Sequence, residues 1–179
     1  TKDHSIVWKR TEQSNDAPWK LRIHVDADWA NDTLHRRSRS GFLITANGNL
    51  LSFGSGLQPK TASSTAVAEY VALASAVKEL LWIKQLLSGM GQRIELPVPI
   101  EEDNQACIHI ATQPSSSKRT RAVDIRYHFI RDCHSDGIIK VRYCRSREQL
   151  ADILTKTLPR VPFLRLRELL VSDTILEPD

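Results

Sequence analysis

The order of apolar runs predicts an α/β domain built on a mixed sheet, an antiparallel meander followed by two crossover strands covered by helices. Three observations carry this. Asn47-Gly48-Asn49 separates two strand-like runs and is a strong hairpin signal. A long helical pattern follows, with Tyr70, Leu73, Val77, Leu80, Leu81 and Leu87 on one face. Beyond it, short strands alternate with helices, the pattern of crossover connections.

Taken in order, Ser5 to Arg10 and Trp19 to Val25 are expected strands, separated by a polar turn from Thr11 to Pro18. Ser40 to Ala46 and Leu50 to Ser55 form the hairpin. A polar loop runs from Gln58-Pro59-Lys60 to Ser63-Ser64, and Thr65 or a nearby serine caps the long helix, which ends near Ser88-Gly89. Pro97 to Glu101 is a short strand, Asn104 to Ala111 a short helix and Gln113 to Ser117 a loop. Val123 to Cys133 is helical, and Ile138 to Tyr143 is a strand after the Asp136-Gly137 turn. Ser146 with Gln149 reads as a capping box for a helix holding Asp152, which Pro159 stops. Phe163 to Leu170 is a last helix that packs back on the body.

A chain of 179 residues suits one domain with a full core. Its 25 Lys and Arg against 21 Asp and Glu give a formal charge of +4 and a pI near 9.1. The bases cluster at Arg36, Arg37 and Arg39, at Lys118, Arg119 and Arg121, and at Arg142, Arg145 and Arg147. Such patches are either solvated surface or phosphate contacts. Cys107, Cys133 and Cys144 are odd in number and form no Cys-x-x-Cys pair, which argues against a disulfide framework and for a reducing compartment. Cys107 with His109, and Cys133 with His134, read as packing and surface residues rather than zinc ligands. No signal peptide or membrane span is visible, and the start at Thr1 suggests a piece of something larger.

Four acidic motifs suggest a metal-dependent nuclease: Val25-Asp26-Ala27-Asp28-Trp29, Ala68-Glu69-Tyr70, Glu101-Glu102-Asp103-Asn104-Gln105 and Gln149-Leu150-Ala151-Asp152. The first and third follow strands that could be neighbours, and the second and fourth lie in helices that could cover them. Four carboxylates gathered at one point repel each other, and a divalent metal is the usual compensation.

These segments, with Arg37-Ser38-Arg39-Ser40-Gly41-Phe42, Gln58 to Ser64, Asp124-Ile125-Arg126-Tyr127-His128-Phe129-Ile130-Arg131 and Glu148 to Lys156, span nearly the whole chain in order. Together they resemble the ribonuclease H domain of copia-type (Pseudoviridae) LTR-retrotransposon polyproteins. The resemblance implies a ribonuclease H-like fold with a five-stranded mixed sheet, three strands antiparallel and two parallel. It implies a connection from a reverse-transcriptase domain over residues 1–18, a catalytic domain over 19–158 and a C-terminal helix and tail over 159–179. It also implies hydrolysis of the RNA strand of RNA–DNA hybrids to 5′-phosphate and 3′-hydroxyl ends, beside the reverse transcriptase of the same polyprotein. A cytoplasmic, particle-enclosed setting follows, with no membrane.

Carried over, the family's acidic tetrad falls on Asp26, Glu69, Asp103 and Asp152. It would hold two Mg²⁺ ions about 4 Å apart, with Mn²⁺ as a substitute and Asp26 as the bridging ligand. Glu69 and Asp103 would complete one ion and Asp152 the other. Hybrid contacts fall on Ser63, Ser64, Thr65, Asn104 and Gln105 for the minor groove, with Arg37 and Arg39 for phosphates. Three departures from the family pattern stand out: Val67 replaces a first acid before Glu69, Thr120 to Asp124 lacks the usual histidine, and Cys144 to Arg147 offers no histidine loop.

Other acids receive lesser readings. Asp28 helps a turn or stays solvated. Glu102 alternates away from Asp103 and is expected to be exposed. Glu148, one turn before Asp152, complements its helix N-terminus or supports the site from behind. His24 and His128 are read as structural, and Trp29 as packing under the site or touching a sugar. Two rival functions remain: a DNA-cutting nuclease of the same fold, and a decayed or domesticated copy that binds hybrid without turnover.

Overall fold

The computed structural model describes residues 6, 8–9, 17–113 and 125–171, with side chains from 128 onward in the last segment. Among them lie five strands: β1 (Leu21–Asp28), β2 (Arg39–Ala46), β3 (Asn49–Leu57), β4 (Val98–Glu102) and β5 (Ile139–Tyr143). The helices are α1 (Thr65–Gly89), α2 (Gln105–Thr112), α3 (Ile125–Ser135), α4 (Asp152–Thr155) and α5 (Arg160–Val171). The sheet order is β3-β2-β1-β4-β5, with β1–β2 and β2–β3 antiparallel and β1–β4 and β4–β5 parallel. This is the expected mixed sheet.

The β2–β3 hairpin forms because Asn47 and Gly48 accept positive φ, 50° and 78°, the pair of left-handed residues that a tight two-residue turn requires. Ser64 caps α1 by accepting the Val67 N–H at 3.3 Å. In β1 the alternation divides the sheet. Leu21, Ile23, Val25 and Ala27 join Ile44, Ala46 and the buried α1 face of Tyr70, Leu73, Val77 and Leu80 in the main core. Leu43 turns to the other face, where Leu150 and Leu166 cover it in a smaller cluster. Burying Ile23, Leu73 or Leu80 stabilises by about 1.5–3 kcal/mol each.

Several elements differ from expectation. The predicted strand Ser5 to Arg10, its following turn and the loop from Gln113 to Ser117 lie largely outside the described residues, as do the basic cluster at 118–121 and the Thr120 to Asp124 run. Lys9 is described, and it exchanges backbone hydrogen bonds with the Asn49 side chain at 2.7 and 3.0 Å. β1 runs three residues further than expected, so Asp26 lies inside the strand.

The capping box of Ser146 and Gln149 does not form. Ser146–Glu148 is a 3₁₀ turn without a side-chain cap, and Gln149 is fully buried. Its amide donates to Val25 O at 2.8 Å and Glu101 O at 3.2 Å, satisfying carbonyls where β1 and β4 part. Glu148 therefore does not share a helix with Asp152; it is exposed and pairs with Arg147 at 3.4 Å.

His24 is buried, and burial followed by the nearby Arg22 lowers its pKa to about 4, a structural neutral imidazole as expected. His128, read as structural, is exposed on α3 beside the buried Ile130. The three cysteines are free and buried, in line with the packing reading. No helix among the described residues is long and apolar enough to cross a membrane.

Candidate metal centre

Parallel pairing of β1 with β4 ends at Ile23–Ile100 and His24–Glu101. Two residues further along each chain stand Asp26 and Asp103, at the same level, where the strands diverge at their carboxyl ends. Such a divergence opens a crevice in α/β sheets. Glu69 reaches the same point from the buried face of α1, just over one turn from its N-terminus. One carboxylate oxygen from each of Asp26, Glu69 and Asp103 lies within 4.8 Å of the others.

The fourth predicted acid is close but engaged elsewhere. Asp152 begins α4, and its Oδ1 accepts from Lys156 Nζ at 2.7 Å. The same ammonium reaches Asp26 Oδ1 at 3.0 Å, and Thr155 Oγ1 donates to Asp26 Oδ2. One turn of α4 thus supplies Asp26 with a cation and a hydroxyl. Lys156 was legible as an i,i+4 partner of Asp152; its reach to Asp26 across the sheet was not.

α4 can come this near because Gly41 faces Asp26 across the β1–β2 pair. A Cβ at Gly41 would stand 2.5 Å from Thr155 Cγ2 and 3.0 Å from Leu154 Cβ. Gly41→Ala is therefore expected to cost about 2 kcal/mol through overpacking. By displacing Thr155 and Lys156 it should also lower any activity of the site. Denaturant unfolding alongside an activity assay checks both; wild-type values in both would mean that α4 is free to shift.

Burial first, then Glu102, Asp26 and Asp103, raise the pKa of Glu69 well above the carboxylate range. Burial also raises Glu102, although the Asn104 N–H partly offsets it. Asp152 is pushed up to about 6, again by burial first, with Lys156 opposing. Burial works against the Lys156 ammonium, but Asp26 and Asp152 outweigh it and hold its pKa above the usual value.

Glu102 overturns the expectation of an exposed side chain: it is fully buried. The reason lies in the register, since Val98, Ile100 and Glu102 share the inward face of β4. Counting from the apolar residues rather than from Asp103 would have placed it there.

The other candidates are spread around this point. Ser63 and Thr65 are exposed at the start of α1, while the Ser64 hydroxyl is used as the cap. Asn104 caps α2 through the Cys107 N–H at 3.1 Å, and Gln105 is exposed. Arg37 pairs with Asp32 at 3.6 Å, and Arg39, opposite Asp28 in the sheet, donates to Ser55 at 3.4 Å. Asp28 accepts from the Asn31 amide, the expected turn role. Trp29 is 44% exposed and donates to Ala62 O at 3.1 Å, tying the end of β1 to the loop before α1.

No protein-family model matches the chain. Among solved structures, the N-terminal RNase H domain of a Mycobacterium tuberculosis protein superposes with a TM-score of 0.55 at 12% identity, covering 83% of this chain and 96% of that one. An RNase H1 isolated from compost gives 0.51 at 20% identity, covering 87% and 95%. In sequence, the retrovirus-related Pol polyprotein from transposon TNT 1-94 of Nicotiana tabacum is 37% identical over 149 residues, 83% of this chain. The chain is a relative of copia-type transposon Pol polyproteins, with the ribonuclease H fold. A second such polyprotein, from transposon RE2 of Arabidopsis thaliana, is 33% identical over 163 residues, 91% of this chain. The chain spans 11% of the length of each of these two Pol relatives. The three converging acids lie where the neighbouring strands β1 and β4 of this sheet diverge.

Proposed function

We propose that the chain is a divalent-metal-dependent endoribonuclease that hydrolyses the RNA strand of RNA–DNA hybrids and leaves 5′-phosphate and 3′-hydroxyl ends. The observation that carries this reading is the convergence of Asp26, Glu69 and Asp103 within 4.8 Å at the crevice of a ribonuclease H fold. The donor set fits hard divalent ions: carboxylate oxygens throughout, with Glu69 Oε2 buried and without a partner. Asp26, Glu69 and Asp103 would hold Mg²⁺ or Mn²⁺, and Asp152 would join them when Lys156 yields. Two bound ions would lower the pKa of the attacking water and offset charge on the scissile phosphate and leaving oxygen.

The chain's own residues supply the rest. Thr155 fixes the Asp26 carboxylate in one orientation, so that it need not reorganise when substrate arrives. Lys156 holds positive charge between Asp26 and Asp152 and is placed to meet a phosphate oxygen once those acids have other partners. Thr65, one turn before Glu69, and Gln105, two residues after Asp103, with Ser63 in the loop leading into α1, would read 2′-hydroxyls across the shallow minor groove. Ser64 and Asn104 hold the two helix starts that present them. Arg37 and Arg39 would hold phosphates. The reverse-transcriptase domain of the same polyprotein, in a cytoplasmic particle, is the setting this activity calls for.

The test is cleavage of an end-labelled RNA–DNA hybrid in Mg²⁺ or Mn²⁺, with Asp103→Asn and a DNA duplex beside it. RNA-strand cutting that vanishes in Asp103→Asn, with the duplex intact, is expected. Cutting that survives the substitution, or equal cutting of duplex DNA, would overturn the assignment.

A further inference from the structure

We propose that Tyr143, Arg145 and Arg147 form a subsite for single-stranded nucleic acid beside the metal centre, where an unpaired strand leaving the hybrid stacks one base on the tyrosine ring. The class of ligand rests on the nuclease reading above.

From 142 to 148 the chain reads Arg-Tyr-Cys-Arg-Ser-Arg-Glu, three bases and one aromatic ring against one acid. Its backbone is fixed at both ends to elements that carry the acids of the metal centre. Tyr143 ends β5 in register with Glu102, the residue before Asp103, and the Cys144 N–H donates to Glu102 O at 3.0 Å. A 3₁₀ turn follows, closed by the Glu148 N–H on Arg145 O at 2.7 Å and the Gln149 N–H on Ser146 O at 3.2 Å. Gln149 ties this end to β1 and β4, and Asp152 comes three residues later. Cys144 and Gln149 are buried while the four residues between them are exposed. The loop therefore holds Arg145 and Arg147 outward from a doubly anchored base.

Tyr143 is 54% exposed, so its ring face is open. Bases inside a hybrid are already stacked on one another, and such a ring can take only an unpaired one. Arg145 and Arg147 stand two and four residues further on, where phosphates of the same strand would meet them. The 3.4 Å contact of Arg147 with Glu148 joins two exposed groups and is weak enough to yield to a phosphate. Tyr143 also lines a groove of about 860 Å³. Its bases, Lys20, Arg22 and Arg142, are matched by Glu95, Glu101 and Glu148, so the excess charge lies beside it, on Arg145 and Arg147. That division suits bases and sugars in the groove with phosphates at its edge.

Fluorescence anisotropy in EDTA reads binding without turnover. The probes are a blunt RNA–DNA hybrid and the same hybrid with a short overhang of uridines or of thymidines. The overhang is expected to tighten binding to the full chain about tenfold. Tyr143→Ala should remove that gain, Tyr143→Leu likewise, and Tyr143→Phe should keep it. Arg145→Ala should reduce the salt slope of overhang binding by about 0.7. A gain with only one kind of overhang would support the subsite and name the strand it takes. No gain from either overhang in wild type, or a gain that survives in both Tyr143→Ala and Tyr143→Leu, would overturn it. Hybrid that is bound through its overhang but never cut in Mg²⁺ or Mn²⁺ would overturn the nuclease reading and leave the subsite standing.

Discussion

Asp26→Asn is expected to abolish hybrid cleavage while leaving a folded protein. Asp26 is the member of the group through which the others are connected. It faces Glu69 and Asp103 on one side, and it takes Thr155 and Lys156 on the other. Its side chain is 1% exposed, so water cannot substitute for what it contributes. An amide retains one oxygen for Thr155 but turns a donor toward Lys156 and removes the charge that any divalent ion would meet first. Loss of several kcal/mol of charge stabilisation corresponds to a rate loss of about 10³-fold or more. Folding should survive, because the substitution also removes repulsion among Asp26, Glu69 and Asp103. Single-turnover cleavage read beside a melting curve separates the two effects. Retention of a tenth of the wild-type rate would mean that Asp26 is not central.

The second large effect is a stability that depends on pH and metal together. Glu69 and Glu102 have pKa values raised above their ordinary value of 4.5, chiefly by burial and then by nearby acids, Glu102, Asp26 and Asp103 for Glu69 and Asp103 and Asp26 for Glu102. Asp152 is raised from 3.8 to about 6. A group whose folded pKa is raised binds its proton more tightly in the folded state. Its stabilisation is complete below the unfolded pKa and is lost as pH rises through the folded one. The metal-free protein should therefore become less stable as pH rises from the ordinary carboxylate range past about 6, continuing toward alkaline pH as Glu102 and Glu69 ionise. Saturating Mg²⁺ binds the ionised acids and should flatten that slope, a linkage that chelation restores. Urea unfolding at several pH values, in EDTA and in Mg²⁺, tests this. A metal-free slope of the opposite sign would mean that the acids are ionised and compensated without metal.

The site also shows how local chemistry and packing divide the work. Lys156 partly neutralises the acids when no metal is present, and it does so from a helix of four residues held down by Gly41. The short helix has little intrinsic stability. Its position comes from Ser55 donating to Leu154 O at 2.6 Å and from the leucine cluster beneath it.

What the sequence determined by itself was local or periodic. The Asn47-Gly48 turn, the serine cap of α1, the Asn104 start of α2 and the parity of β1 each follow from one residue type meeting one backbone demand. Three of the acids could be named because strand ends and a helix face place carboxylates in motifs with a fixed order. What only the tertiary structure decided concerned groups whose partners are far away in the chain. Gln149 became a buried tie between two strands rather than a cap, because carbonyls of Val25 and Glu101 needed donors. Glu102 became a buried acid because β4 takes its register from Ile100 and Val98. Asp152 meets the cluster through Lys156, which bridges it to Asp26 130 residues back in the chain. A hydrogen bond or ion pair across that separation leaves no periodic trace in the sequence, since it is set by how the strands and helices pack and not by the residues beside it.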